Sequence, residues 1–253
     1  MIHGMSASTG PVLLVNINNT WTKFCPVVRS RLGKVGRLAT RELDETRLRA
    51  VAKRYRGWPL MISSVVPKAR QLFQSVWPAG SLHDLDYRNL PGVTVKYPRP
   101  AQIGADRLAN AVAVCHGHPL PAIVVDLGTA LTFDIISEKR EYLGGVIAPG
   151  LQAFTDYLHE RTALLPKVHL HRPKRAVGKS TREAICIGAF HGYHGLVREV
   201  LSQVRKEIKA RRVTVIATGG DCRFMAGNIP EIQITDPLLG LRGLKIVARH
   251  VLG

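Results

Sequence analysis

Two stretches about 110 residues apart, VLLVNINNT at 12–20 and AIVVDLGTA at 122–130, can be laid on one another position by position. Each is an apolar, β-rich run ending in turn residues, and each is followed by a second β-rich run and then a third. Self-similarity at that distance restricts the chain to folds built from a duplicated unit. The expected class is α/β with two similar lobes, divided as 1–118 and 119–253, and no low-complexity linker separates the halves.

The intervening sequence fits this reading. Hydrophobic positions spaced for one helical face predict helices over Glu42–Tyr55, Val66–Trp77, Ile103–Gly117, Leu151–Leu165, Thr181–Lys209 and Pro237–Leu252. Short β-rich runs at PLMISSVV, VTVKY and VTVIATGG predict further strands. With 253 residues, 45% hydrophobic and 21% charged, the chain is long enough for a sizeable core and far from the composition of a disordered one. No apolar run approaches the ~18 residues of a membrane span, and MIHGMSASTG lacks a basic stretch followed by an apolar one, so the expected compartment is the cytoplasm without membrane attachment. Cys25, Cys115, Cys186 and Cys222 are scattered singly, which argues against a zinc site or a disulfide framework.

The formal net charge is +18, from 36 Lys and Arg against 18 Asp and Glu. Such a balance favours anionic partners. The excess is spread over both halves, with clusters at Arg47–Arg56 and Arg205–Arg212, and the sequence supplies no nucleic-acid recognition motif. The expectation is therefore no specific nucleic-acid partner.

Three Gly- or Asn-rich turns stand at strand ends. Asp126, Gly128 and Thr129 combine a carboxylate, a glycine and a hydroxyl, a set suited to phosphates and their cations. Asn16, Asn18, Asn19 and Thr20 hold the equivalent place in the first half with no negative charge. Either turn alone is an ordinary hairpin turn; the repetition is what suggests a shared ligand. ATGGD at 217–221 is a third turn that permits close backbone approach. AVGKST at 176–181 is not a Walker loop, because Pro173 stands where its first glycine belongs; Ser180 or Thr181 reads instead as the start of a helix. Asp106 and Arg107 open another helix, where an acid is favoured in any case.

Taken in order, the NNT turn, KYPRPAQIGADRLANAVA, VVDLGTALTFD, GGVIAPGL, VGKSTREAICIGA and ATGGD resemble type III pantothenate kinases over nearly the whole chain. The resemblance implies the duplicated fold of the acetate and sugar kinase, Hsc70 and actin superfamily, with two ribonuclease H-like lobes and an interlobe cleft for ATP. It implies phosphorylation of pantothenate by ATP with Mg²⁺, the first step of coenzyme A synthesis. Asp106 would take the proton from the pantothenate hydroxyl, and Tyr97, Gly104, Ala105, Arg107 and Thr181 would hold pantothenate. Asn16, Ile17, Asn18, Asn19, Thr20, Trp21, Thr22, Lys23 and Thr129 would contact ATP. Asp126 would bind a monovalent cation, K⁺ or NH₄⁺, and the protein would be a homodimer. One departure stands out: the family's first phosphate motif reads D-x-G-N-T, and here Asn16 replaces the acid and Asn18 the glycine. A weak or inactive relative that binds nucleotide or pantothenate as an accessory factor is the alternative expectation.

Overall fold

The computed structural model describes residues 10–253. In chain order, β1 (Val12–Ile17), β2 (Trp21–Val28), β3 (Arg31–Leu32) and β4 (Gly36–Ala39) lead to α1 (Glu45–Arg54), β5 (Leu60–Ser64) and α2 (Pro67–Gln74). β6 (Leu82–Asp84), β7 (Thr94–Val95) and α3 (Ala105–Gly117) follow, then β8 (Ala122–Leu127), β9 (Ala130–Ile136) and β10 (Glu141–Pro149). The chain continues with α4 (Leu151–Arg161), α5 (Thr181–Ile208), β11 (Thr214–Thr218), α6 (Cys222–Met225), β12 (Ile234–Thr235) and α7 (Leu239–Leu252).

These elements form two compact units. The first takes the described residues through His118, together with Arg140–Tyr142 and Leu239–Gly253; the second takes Pro119–Lys139 and Leu143–Leu238.

The sheet of the first unit runs β3-β2-β1-β5-β6, with β4 also on β2. All six residues of β1 are buried, as befits a strand covered on both faces, and it pairs antiparallel with β2 and parallel with β5. α3 is buried without interruption from Leu108 to Cys115, too apolar for a surface helix. It can be so because α7 covers it at backbone distance: a Cβ on Gly243 would lie 1.8 Å from the carbonyl oxygen of Ala109. The C-terminal helix thereby belongs to the first unit.

In the second unit β8 takes the place of β1, antiparallel to β9 and parallel to β11, with β12 beyond β11. Ala122, Ile123, Val124 and Val125 are fully buried, and the 28-residue α5 packs Tyr193, Val197 and Leu201 into the same core as Phe133 and Val215.

Several boundaries differ from the sequence reading. VTVKY keeps only Thr94–Val95 as strand, pairing with Glu141 and Tyr142, because the chain leaves the sheet at Lys96. The first helix begins at Glu45, where Asp44 accepts a hydrogen bond from the Arg47 backbone N–H at 2.7 Å and caps the N-terminus. β6 and β12, of three and two residues, were not expected.

Candidate active site

The first turn grows from the β1–β2 hairpin, in which Asn16 faces Lys23 and Ile17 faces Thr22. The Asn18 backbone N–H closes it on the Trp21 carbonyl at 3.2 Å. Thr40, from beyond β4, clamps it: its hydroxyl donates to the Asn18 carbonyl at 2.6 Å, its N–H to the Thr20 carbonyl at 3.0 Å, and it lies 3.0 Å from the Thr22 hydroxyl. Asn16 is 8% exposed and sits beside Ser63 of β5 in parallel register. Asn16 Oδ1, Asn18 Oδ1 and Ser63 Oγ are buried with no hydrogen-bond partner. Three buried oxygens at or just beyond the C-terminal ends of the parallel strands β1 and β5 thus receive no hydrogen bond from the protein, an arrangement natural to a site that receives a ligand.

The proposed ATP segment is not uniform. Asn19, Thr20 and Trp21 are exposed and Lys23 is half-buried, whereas Ile17 and Thr22 are fully buried. The hydroxyl of Thr22 is turned to Thr40. Trp21 carries the Arg37 guanidinium 4.4 Å above its ring centroid, a cation–π contact at the edge of the turn.

Also in the first unit, Asp106 lies in the first turn of α3 and its Oδ1 accepts from the Arg107 N–H at 2.8 Å. Gly104, the N-cap, permits this: a Cβ there would lie 2.6 Å from Asp106 Oδ1 and 3.3 Å from Val65 Cγ1. Burial pushes the Asp106 carboxyl above its ordinary value, and the Arg107 N–H and guanidinium only partly oppose it. A carboxylate held in that state is a better proton acceptor than an exposed one. Arg107 places its guanidinium 5.8 Å from the Tyr142 ring centroid. Tyr97 is exposed on the segment following β7.

The second unit builds its own turn. Asp126 faces Thr132 across the β8–β9 hairpin and Thr218 across the parallel pair with β11. Two glycines, Gly219 and Gly150, let backbones meet there. Gly219, at φ +94°, would put a Cβ 2.4 Å from the Leu127 carbonyl and 2.5 Å from Asp126 Oδ1. A Cβ on Gly150, the N-cap of α4, would lie 2.2 Å from the Gly128 carbonyl, and one on Gly128 would reach Asp126 Oδ1 at 3.5 Å. The Asp221 N–H donates to the Leu127 carbonyl at 2.9 Å, tying the ATGGD turn to the hairpin. Burial raises the Asp221 carboxyl, and the Tyr193 hydroxyl is raised first by burial and then by the negative charges of Asp221 and Asp126. Two carboxyl groups whose negative charge reaches the same buried tyrosine, beside a glycine-lined turn, are the electrostatic setting of a cation site. No group of three or more His, Cys, Asp or Glu that could hold a metal occurs among the described residues.

Thr181 is the first residue of α5. Ser180 caps that helix, accepting from the Glu183 N–H at 3.2 Å, while Glu183 Oε2 reaches back to accept from the N–H of Lys179, the residue before the cap, at 2.7 Å, a pair of bonds that leaves the exposed Thr181 hydroxyl uncommitted. Gly178 makes the preceding loop possible, since a Cβ there would meet the Ala184 backbone nitrogen at 2.6 Å.

Within the first unit the structure therefore groups Asn16, Asn18 and the unforeseen Ser63 and Thr40. Within the second it groups Asp126, Gly128 and Thr129 with Gly150, Gly219 and Asp221. Strand alternation could have revealed that Thr22 faces inward, because Thr22, Phe24 and their neighbours alternate in burial along β2. Nothing local marks Thr40, whose partners lie about 20 residues away.

The sequence profile of the family described as type III pantothenate kinase matches residues 12–203. A type III pantothenate kinase of Methylacidiphilum infernorum is 36% identical over 237 residues, covering 93% of this chain and 87% of that protein. One of Akkermansia muciniphila is 42% identical over 237 residues, covering 93% and 97%. Among solved structures, a conserved putative Baf family transcriptional activator from Campylobacter jejuni aligns with TM-score 0.65 at 22% identity, covering 95% of this chain and 98% of that one. A putative 2-dehydro-3-deoxygalactonokinase from Sinorhizobium meliloti aligns with TM-score 0.61 at 12% identity, covering 95% and 99%. These two share the fold, the duplicated actin-like α/β architecture.

Proposed function

The chain belongs to the type III pantothenate kinase family, and from that premise we propose how its own residues perform the reaction. The enzyme transfers a phosphoryl group from ATP to pantothenate, giving 4′-phosphopantothenate for coenzyme A synthesis. The identity of 36% and 42% to two family members over 93% of the chain carries this conclusion.

Phosphoryl transfer asks for positioning and charge neutralisation more than for covalent chemistry. Asp106 accepts the proton of the pantothenate hydroxyl; its burial and raised carboxyl support that role. Gly104, Ala105, Arg107 and Tyr97 are the residues assigned to pantothenate, together with Thr181, whose part is supported by its uncommitted hydroxyl at a helix N-terminus. Asn16, Asn18, Asn19, Thr20, Trp21, Lys23 and Thr129 are the residues assigned to ATP. Ile17 and Thr22 serve from within, keeping the turn in shape.

Mg²⁺, which accompanies ATP, and a monovalent cation, K⁺ or NH₄⁺, supply positive charge to the phosphates when bound. The residues fit both. Asp126, beside Gly219 and within the field that also acts on Tyr193, suits the monovalent cation. The orphaned oxygens of Asn16, Asn18 and Ser63 suit the water shell of a hydrated divalent ion better than direct ligation, being neutral. Asn16 thus keeps the oxygen of the family's acid and gives up its charge.

A homodimer is part of the proposal. In the second unit the apolar side chains of Ile147, Tyr157, Leu164 and Val177 are 65%, 65%, 90% and 68% exposed, and a second copy would have these to cover. The four cysteines are free and buried, and burial pushes the thiol of Cys115 up to about 11, in keeping with work in the reducing cytoplasm. Among the described residues no helix is long and apolar enough to cross a membrane.

The test is product formation from pantothenate, ATP, Mg²⁺ and K⁺, read by mass spectrometry. The expected result is ATP-dependent 4′-phosphopantothenate; nucleotide binding without any product overturns the enzyme assignment.

A further inference from the structure

A cavity of about 710 Å³ opens in the second unit where α5 ends and β11 begins. It lies at the N-terminal ends of β8 and β11, against Pro121 and Thr214, whereas Asp126 and Gly219 stand at the opposite ends of those strands. Five residues at ~3.3 Å each separate the two places by about 16 Å, so the cavity is no part of the phosphate-binding turns.

Its lining combines two chemistries. Arg205, Arg211 and Arg212 contribute positive charge, and no Asp or Glu lines it among the described residues. Leu120, Val213 and Ile234 contribute apolar surface. Arg205 belongs to the last turn of α5, where the helix dipole explains a cation, and it feels the charge of Glu231, which is itself paired with Arg198 at 2.9 Å. Arg211 and Arg212 have no such explanation. They lie beyond the left-handed Lys209 that ends the helix, and neither makes a hydrogen bond or ion pair among the described residues. Two arginines consecutive in sequence, neither with an acid partner, line a cavity of small-molecule size, where their planar donors are available to an anion.

We propose that this cavity binds a small organic phosphate, its phosphate held by Arg211 and Arg212 and its apolar part against Leu120, Val213 and Ile234. The planar donors of arginine match phosphate oxygens two at a time, and the apolar wall selects an ester over the bare ion. The proposal does not depend on the catalytic assignment, because its residues are separate from every residue given a role there.

The probe is n-octyl phosphate, titrated calorimetrically into the full-length protein, with leucine methyl NMR following Leu120. Expected are saturable binding that shifts the Leu120 methyl signals, an affinity unaltered by a saturating non-hydrolysable ATP analogue, and at least tenfold weaker binding by R211A/R212A. The exposed pair K53A/R56A, in the first unit, serves as the charge control and keeps wild-type affinity. Both Arg211 and Arg212 are exposed, and thermal melting verifies that the double variant is folded; if it is not, R211K/R212K, which keeps the charge and loses the fork, is expected to bind more weakly than wild type. Equal binding of inorganic phosphate or of n-octyl glucoside, an unmoved Leu120, or undiminished affinity in the folded arginine variants overturns the proposal. So does arginine-dependent sedimentation with phosphatidylglycerol vesicles, which would assign the fork to a lipid headgroup in a bilayer rather than to a free phosphate.

Discussion

The two hairpin turns occupy the same place in their sheets and solve different problems. Asn16 and Asp126 each stand one residue before the end of a strand flanked by an antiparallel and a parallel partner, opposite Ser63 and Thr218 respectively. Around Asn16 the first unit gathers neutral oxygens and fixes the turn with a side-chain clamp, Thr40. Around Asp126 the second unit gathers carboxylates and fixes the turn by backbone contacts that only glycine allows. Duplicated topology therefore preserves where a ligand is met and leaves open how its charge is balanced. In this chain the charge resides in the second turn.

Among variants of the two turns, the largest expected effect comes from erasing that difference. Asp126→Asn puts the amide of Asn16 at the equivalent place in the second turn, and kcat/KM for pantothenate should fall roughly 10²-fold, the order seen when one preorganised electrostatic group is removed. The response of the rate to K⁺ should disappear with it. An unchanged K⁺ response would separate Asp126 from the cation.

Gly219→Ala breaks the second turn by sterics instead. With φ at +94° and the Leu127 carbonyl 2.4 Å from the added Cβ, a loss of about 2 kcal/mol in unfolding free energy is expected by denaturant titration. Asn18→Gly, at the first unit's turn, where the backbone is not left-handed, should leave stability within about 1 kcal/mol.

Asn16→Asp sharpens the comparison from the other side by giving the first turn a charge. Turnover at limiting Mg²⁺ should rise by about tenfold, ~1.4 kcal/mol in the barrier. Stability without nucleotide should drop, because a carboxylate at an 8% exposed position replaces an amide. Lower turnover in this variant would show that the site is built around the amide. The smallest effect is Thr40→Val, which removes the clamp on the Asn18 carbonyl and should cost about 1 kcal/mol.

Much of this was legible beforehand. The two hairpins were visible because buried strands and their turns have local signatures, and the order of motifs led to the family. Thr181–Ile208 was readable as one helix from its apolar stripe. The short strands β6 and β12 were not, since two or three residues carry no periodicity. Nor was the affiliation of α7, which rests on Gly243 meeting the Ala109 carbonyl across more than 130 residues of sequence. Thr40 and Ser63 escaped for the same reason: they are polar residues in unremarkable surroundings until the chain folds them against Asn16 and Asn18. Asp106 was readable as a helix start, and only its burial distinguishes it from any other acid in a first turn.

The raised Asp106 carboxyl also has a sign that can be checked in stability. The folded protein holds this proton more tightly than the unfolded chain, whose value is near 3.8, so ionising it costs folded stability as pH rises through that interval. Asp106→Asn should accordingly be at least as stable as wild type at pH 7, with any advantage shrinking as the pH is lowered towards the unfolded value.

The most direct measurement is the single-turnover rate of pantothenate phosphorylation for wild type and Asp106→Asn across pH, with pantothenate binding measured in parallel. A base in this position predicts a wild-type rate that falls as acidity protonates Asp106, and a variant that binds pantothenate yet reacts about 10²- to 10⁴-fold more slowly without that pH limb. A variant that keeps the wild-type rate and profile would contradict it.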